Sequence, residues 1–175
     1  GERADMFRQC ILATDELQRI TWLSRLQPLI QHDFLELFEI LGNCELSVRL
    51  LDPPLQIFVP NPSDPHFERD LRDLCIRLEL SYEECFPRVM ELQQSNPMLG
   101  FRGCRLSILY PEITEMQSRA IIEAACRLTK EGVKVIPEIM IPLVGDVREL
   151  RAQRAVVDRV AVKVMDAQKV KVRYL

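Results

Sequence analysis

Three arginines lie in or beside short apolar runs, where a guanidinium could bind an anion. Arg49 lies inside one run, and Arg102 and Arg105 lie on either side of a Gly-Cys pair at the start of another. A guanidinium in an apolar strand is costly to bury unless an anion meets it. Arginines at neighbouring strand ends would suit a phosphorylated carboxylic acid, because the planar guanidinium can donate two parallel hydrogen bonds to each group. A structural ion pair between Arg49 and Asp52, or another carboxylate, explains that residue equally well.

The spacing of Arg102 and Arg105 limits how many of these side chains could meet one ligand. In an extended strand, side chains three positions apart lie on opposite faces, so at most one of the two points inward. Cys104 lies between them, and the two positive charges could lower the pKa of its thiol and make it reactive. Its alternation with apolar neighbours favours a packed thiol instead.

The other residues with acid–base or metal-binding chemistry are scattered. His32 and His66 are predicted to be surface residues, in a helix and a loop, and Glu138 could be buried and paired within a strand. The six cysteines form no CxxC pair and have no histidine at the spacing of a metal ligand. We therefore expect reduced structural thiols, and no metal site in this segment.

Composition excludes several classes of protein. The chain has 175 residues, of which 47% are hydrophobic and 28% charged, as expected for one ordinary globular domain. A net charge of −3 leaves no basic field for nucleic acid. No apolar run approaches the roughly 20 residues needed to cross a bilayer, and the charged first residues are unlike a signal peptide. We expect a soluble intracellular protein that binds neither nucleic acid nor membrane.

Helical periodicity covers most of the chain. The predicted helices span residues 3–27, 28–41 with Pro28 at the first position, 67–80, 82–94 behind a capping box at Ser81, 111–131, and a last one that Asp146 caps. Apolar runs predict strands at 45–52, 104–109 and 133–145, and the beginning of a fourth at 169–175. Strands that alternate with helices are typical of βα units, in a (β/α)₈ barrel or an open doubly wound sheet.

Four motifs occur in an order that is similar to a known family. They are Arg49-Leu-Leu-Asp-Pro-Pro-Leu, Asn96-Pro-Met-Leu-Gly-Phe-Arg-Gly-Cys-Arg-Leu, Tyr110-Pro-Glu-Ile-Thr-Glu-Met-Gln-Ser-Arg-Ala-Ile and Pro137-Glu-Ile-Met-Ile-Pro-Leu-Val-Gly. Across essentially its whole length, the chain resembles the C-terminal phosphoenolpyruvate/pyruvate-binding barrel domain of the pyruvate phosphate dikinase family.

The resemblance implies a fold and an activity. Residues 1–175 would be part of a (β/α)₈ TIM-type barrel, about strands two to four and the start of five, with a helical lead-in at 3–41 and a helical insertion at about 67–94. The family interconverts ATP, phosphate and pyruvate with AMP, pyrophosphate and phosphoenolpyruvate. A phosphohistidine on a swivelling domain carries the phosphoryl group to the barrel, and Mg²⁺ is the cofactor.

The resemblance also assigns site residues. Arg49 matches the second-strand arginine that binds phosphoenolpyruvate, and Arg102 matches the arginine that faces the transferring phosphoryl group. Arg105 also has a counterpart, to which we assign a structural role. Gln56 and Phe101 stand where the family usually has histidine.

Other parts of the family's site have no counterpart in this chain. The first-strand arginine would precede Gly1, and both the Mg²⁺ carboxylates and the proton-donating cysteine would follow Leu175. We therefore expect the isolated segment to supply substrate-binding arginines without catalysing the reaction.

The implied partners are phosphoenolpyruvate or pyruvate, the phosphohistidine domain of the same enzyme, and a second subunit in a homodimer. The compartment could be the cytoplasm, a plastid or a glycosome. Two alternatives remain open at this stage. One is a relative of phosphoenolpyruvate synthase, and the other is a truncated, non-catalytic paralogue that acts as a binding module.

Overall fold

The chain, as a computed structural model, contains two compact units, one of them helical and the other mixed α/β. The structure describes residues 1–42, 45–93 and 100–175, so the predicted helix stop at Asn43, Cys44 and residues 96–99 of the second motif lie outside the described residues. Unit one comprises residues 1–22 and 53–102, and unit two comprises 23–52 and 103–175. In chain order the elements are α1 (Glu2–Leu12), α2 (Glu16–Leu41), β1 (Glu45–Arg49), a 3₁₀ turn (Leu55–Phe58), α3 (Phe67–Leu78), α4 (Tyr82–Glu91), α5 (Cys104–Leu109), α6 (Pro111–Lys130), β2 (Ile136–Met140) and α7 (Val147–Gln168).

Unit two is built around a parallel strand pair. Glu45 in β1 is in register with Ile136 in β2, and the pairing runs to Arg49 opposite Met140. Parallel neighbours require a long crossover, and the connection between these two strands includes α6. The two predicted strands at 45–52 and 133–145 are thus confirmed, with shorter bounds.

The predicted strand start at 169–175 contributes one residue to the sheet. The Leu175 N–H donates to the carbonyl of Pro137 at 3.0 Å, and the Ile139 N–H donates to the carbonyl of Leu175 at 2.7 Å. In a parallel pair of strands, the N–H and C=O of one residue bond to the residues on either side of its partner in the neighbouring strand. Leu175 therefore pairs with β2 on the edge opposite β1.

An apolar layer between the strands and helices holds unit two together. The apolar faces of α6 and α7 supply most of it, since Ala120, Ile121 and Ala161 are all 0% exposed. The predicted helix starts are confirmed: Pro111 occupies the first turn of α6, and Asp146 and Glu149 form a capping box on α7. Pro111 and the capping box therefore fix the residue at which each of these helices begins after its preceding loop.

Unit one has a separate helical core. Residues of α3 and α4 form its centre, and Leu71, Cys85 and Val89 are 0% exposed. The predicted capping box at Ser81 is confirmed, because its side chain accepts from the N–H of Glu84 and the Glu84 carboxylate accepts from the N–H of Ser81. The helices predicted at 67–80 and 82–94 are confirmed, with α4 ending at Glu91.

Two local predictions are wrong, and the helix predicted at 3–27 is divided, since α1 ends at Leu12 and α2 begins at Glu16. Residues 104–109 form α5, because a six-residue apolar run does not distinguish a strand from a buried helix. Pro28 does not begin a helix but lies inside α2. An interior proline loses one backbone hydrogen bond, and the buried Leu26 and Phe34 on either side of it anchor the continuous helix in the core.

Among the helices that the structure describes, none combines the length and apolar character needed to cross a membrane.

Candidate functional site

The carboxyl ends of β1 and β2 and the start of α5 meet within unit two. Gly103, which precedes α5, has φ +59°, and a Cβ built on it would lie 3.1 Å from the Leu143 side chain and 3.2 Å from Asp52 Oδ1. Asp52 follows β1 and Leu143 follows β2. In parallel α/β folds, ligands bind at the carboxyl ends of the strands. The close approach at Gly103 thus lies where such a fold carries its chemistry.

Hydrogen bonds attach α5 to the loop after β2. The Cys104 N–H donates to the carbonyl of Pro142 at 3.1 Å, and its thiol donates to the carbonyl of Leu143 at 3.3 Å. Leu143 has φ +58°, a left-handed conformation that is uncommon for a residue with a Cβ. This loop is therefore held in a specific shape by the residues that begin α5.

Arg49 is the last residue of β1 and points to solvent. Its side chain is 63% exposed, whereas that of Asp52 is only 3% exposed. The cost of burying a guanidinium does not arise here, because alternate residues of β1, Arg49 among them, are exposed. The predicted partner is present, but Arg49 Nη1 lies 4.0 Å from Asp52 Oδ2, beyond hydrogen-bond range. Asp52 can orient the guanidinium by charge while leaving its fork of N–H donors for an anion.

The other two candidate arginines, Arg102 and Arg105, lie in different parts of the structure. Arg102 is half-buried and belongs to unit one, whereas Arg49 belongs to unit two. Their convergence on one ligand stays a prediction. Arg105 lies in the first turn of α5, so the argument that a strand would turn it away from Arg102 does not apply.

Cys104 is a packed thiol. It is 1% exposed, and burial above all, followed by the negative charge of Glu149, raises its pKa. The alternative of a reactive, low-pKa thiol is wrong, because Arg105 offsets only part of these effects. Glu149 has a lowered pKa, chiefly because the Gly145 N–H donates to it at 2.8 Å, and the charge of Arg105 adds to this. This interaction agrees with a structural role for Arg105.

Gln117 is a residue of this region that the sequence reasoning did not single out. It lies in α6, is 6% exposed, and accepts a hydrogen bond from the Leu51 N–H at 2.7 Å. Its amide also donates to the carbonyl of Arg49 at 3.4 Å. Part of the signal lies in the sequence, since Thr114, Gln117 and Ser118 place polar groups on the buried, largely apolar face of α6.

The weaker candidates do not join this region. His32 is exposed and lies 3.4 Å from Glu36 one helical turn away, and His66 is exposed at the start of α3, as predicted. Glu138 in β2 is half-buried. Within residues 1–42, 45–93 and 100–175, no three His, Cys, Asp or Glu side chains are placed to hold a metal ion. These residues do not fit the Mg²⁺ that the resemblance implies.

Comparison with known proteins identifies relatives across the whole chain. The family described as "PEP-utilising enzyme, PEP-binding domain" matches residues 6–174. The chain is 46% identical to pyruvate, phosphate dikinase 2 of Zea mays over 163 residues, which cover 93% of this chain and 18% of that protein. It is 43% identical to the chloroplastic pyruvate, phosphate dikinase of Flaveria trinervia over 173 residues, 99% of this chain and 18% of that protein.

A bacterial relative matches equally far along the chain. The pyruvate, phosphate dikinase of Rhizobium meliloti (strain 1021) is 43% identical over 175 residues, 99% of this chain and 19% of that protein. The chain thus spans less than a fifth of the length of these relatives.

Proposed function

This chain belongs to the PEP-binding domain family of PEP-utilising enzymes, and we propose that it is a segment of a pyruvate, phosphate dikinase. The observation that carries the proposal is 43–46% identity to dikinases of plants and a bacterium over nearly the whole chain. The reaction of the full-length parent would interconvert ATP, phosphate and pyruvate with AMP, pyrophosphate and phosphoenolpyruvate.

We propose that unit two is part of a (β/α)₈ barrel, with α3 and α4 as a helical insertion and α1 and α2 as its lead-in. The parallel pairing of β1 with β2 and the bonds of Leu175 to β2 support this, because barrel strands are parallel and follow one another in order. The separate core of unit one supports the insertion. The barrel segment contains two regular strands among the described residues, fewer than the sequence alone predicts.

Arg49 is the proposed phosphoenolpyruvate ligand of this segment. Its guanidinium is exposed at the carboxyl end of β1 and retains a fork of donors that fits a carboxylate or a phosphate. A positive charge fixed there would stabilise the negative charge that develops on the transferring phosphoryl oxygens. We assign Arg102 to the same substrate on the basis of its motif.

The remaining functions of the site are proposed to lie elsewhere in the parent. Mg²⁺ would be held by carboxylates outside this chain, and the enolate would receive its proton from a cysteine outside it. The phosphohistidine domain of the same polypeptide would deliver the phosphoryl group, and the parent would be a homodimer.

The test is a product analysis of the full-length parent. Incubation with ATP, pyruvate and phosphate is expected to yield phosphoenolpyruvate, AMP and pyrophosphate, with no turnover when phosphate is omitted. Phosphoenolpyruvate formed without added phosphate, together with AMP and phosphate, would instead show a phosphoenolpyruvate synthase. A reading frame that stops at Leu175 would support the truncated paralogue and overturn the proposal.

A further inference from the structure

The carboxyl end of β1 is hydrogen-bonded on both of its edges. On the first edge the Leu50 N–H donates to the carbonyl of Met140 in β2 at 2.9 Å. That edge is the one on which the described sheet pairs β1 with β2. Successive peptide groups of a strand point to opposite edges, and the groups of Arg49 and Leu51 therefore point away from β2.

The side-chain amide of Gln117 binds the end of β1 on the edge away from β2. Its Oε1 accepts from the Leu51 N–H at 2.7 Å, and its Nε2 donates to the carbonyl of Arg49 at 3.4 Å. A parallel strand makes this same pair of bonds around one residue, here Leu50, with a peptide group. A primary amide offers the same donor and acceptor side by side, so glutamine can supply both.

Burial makes the loss of these two hydrogen bonds costly. Gln117 is 6% exposed on the apolar face of α6, next to Met116, which is also 6% exposed. An unpaired peptide group at such a place loses its hydrogen bond to water without replacement. Loss of the amide would therefore leave the Leu51 N–H and the Arg49 carbonyl without this partner. Arg49 is the residue whose carbonyl is held, so the direction in which its guanidinium leaves the sheet is fixed at the backbone.

We propose that Gln117 is a positioning residue that holds the end of β1 so that Arg49 meets phosphoenolpyruvate. This inference rests on the proposed function of Arg49. In this proposal Gln117 does not contact the substrate and acts only through the backbone of residues 49–51.

The experiment compares two buried glutamines of unit two in the full-length parent. Gln117→Met keeps the side-chain length and removes both bonds to β1. Gln153→Met is the matched control, because Gln153 is 1% exposed and accepts from the Thr114 hydroxyl at 2.6 Å, a bond between α6 and α7 that does not involve β1. Both variants are expected to lower the unfolding temperature.

Only Gln117→Met is expected to change the use of phosphoenolpyruvate. Its kcat/KM for phosphoenolpyruvate should fall by about tenfold, mostly through a higher KM, the effect of one lost hydrogen bond between properly placed groups. The KM values for AMP and pyrophosphate should stay unchanged. In an Arg49→Ala background the same substitution should have little further effect, because the two residues act on one contact.

Three outcomes decide between the inference and the proposed function. If Gln117→Met and Gln153→Met leave kcat/KM equally unaffected while Arg49→Ala lowers it, Gln117 has only a structural role and the inference is overturned. If Arg49→Ala itself has no effect, the proposed role of Arg49 fails. Should Gln117→Met not fold, Gln117→Glu retains the acceptor for Leu51 and removes the donor to Arg49, and an unchanged kcat/KM in that variant overturns the inference equally.

Discussion

The two compact units differ in where they place buried polar groups. Among the described residues, every polar or charged residue classed as buried belongs to unit two, namely Ser107, Glu112, Thr114, Gln117, Ser118 and Gln153. The core of unit one consists of apolar side chains and thiols, and the capping box on α4 is exposed. Hydrogen bonds between buried polar groups depend on direction, so they define the arrangement of a core more closely than apolar contacts alone.

This difference indicates which unit sets the geometry of the site. In unit two, the hydrogen bond that Gln117 accepts from Leu51 holds the carboxyl end of β1, and the one that Cys104 donates to Leu143 holds the loop after β2. Apolar packing in unit one needs only correct volume, since cores tolerate substitutions that keep volume and pattern. We therefore expect substitutions of the residues that fix the carboxyl end of β1 and the loop after β2 to change turnover, and substitutions in the apolar core of unit one to change stability alone.

The largest expected effect is at Arg49, compared with Arg72 of unit one. In the full-length parent, Arg49→Ala should lower kcat/KM for phosphoenolpyruvate by the equivalent of about 2–4 kcal/mol, as for other groups that stabilise transition-state charge. Arg49→Lys should restore little of it, because an ammonium cannot form the paired hydrogen bonds of the guanidinium.

Arg72→Ala is the control for charge removal. Arg72 also sits on a surface, with its guanidinium carbon 5.6 Å from the centre of the Tyr82 ring. Steady-state kinetics should show no change in this variant. An equal loss in both variants would mean that general surface charge, rather than the position of Arg49, attracts the substrate.

The second effect concerns the crowded glycine before α5. Gly103→Ala adds a Cβ that must lie 3.1–3.2 Å from Leu143 and Asp52 at φ +59°, whereas Gly132→Ala, at φ +86°, meets no atom within 4 Å. The positive φ should cost Gly132→Ala about 1 kcal/mol, and Gly103→Ala should lose roughly a further 1–2 kcal/mol, because Gly103 also has ψ −135°, outside the left-handed region, and its added Cβ is crowded.

Chemical denaturation of both variants measures this difference directly. Gly103→Ala should also lower turnover, because the displaced Asp52 no longer orients Arg49. Equal losses of stability in the two variants would show that the contact between the strand ends and α5 is loose.

Periodicity and end signals made much of the fold predictable. The capping boxes at Ser81 and Asp146 and the proline at 111 are local, so they act in the sequence as they act in the structure. The run at 104–109 was not predictable in this way. Its conformation depends on Gly103 at φ +59° and on the carbonyls of residues 142 and 143, which are some forty positions away in the chain.

The candidate site was predictable only in part. Arg49 stands out because a charged residue in an apolar run requires an explanation. Gln117 has no such signal on its own, because a glutamine in a helix is ordinarily exposed, and its role depends on a peptide group 66 positions earlier. Motif resemblance supplied the assignment of Arg102, which spacing alone could not.

The third effect is a loss of stability in alkaline solution, to which both units contribute. Burial above all, with the neighbouring thiol of Cys75, raises the pKa of Cys85 in unit one from 9.0 to about 12. Above pH 9 the unfolded chain releases this proton while the folded chain keeps it, so the free energy of unfolding decreases as the pH rises from 9 towards 12.

Tyr174 provides the corresponding group in unit two. Burial, followed by its hydrogen bond to Asp158, raises its pKa from 10.0 to about 12, which gives a decrease of the same sign that begins near pH 10. Urea denaturation between pH 8 and 11 should show a shallower pH dependence in Cys85→Ala and in Tyr174→Phe. A dependence that neither substitution alters would mean that both groups ionise normally in the folded chain.

The smallest effect should be the same in both units. Glu79 after α3 and Lys169 after α7 have φ of 56° and 53°, and the following N–H groups reach back five residues, from Leu80 to Cys75 at 3.0 Å and from Val170 to Met165 at 3.1 Å. This helix ending favours glycine, because a Cβ is strained in the left-handed region.

Glu79→Gly and Lys169→Gly should each raise the free energy of unfolding by about 0.5–1 kcal/mol, since relief of strain exceeds the added entropy of the unfolded chain. Denaturant titration of each variant measures the gain, and kcat/KM should not change in either. Because both residues end a helix through their own backbone, the gain depends on φ and not on the unit. A gain in one unit and a loss in the other would mean that the surroundings of these helix ends, rather than their local conformation, determine the outcome.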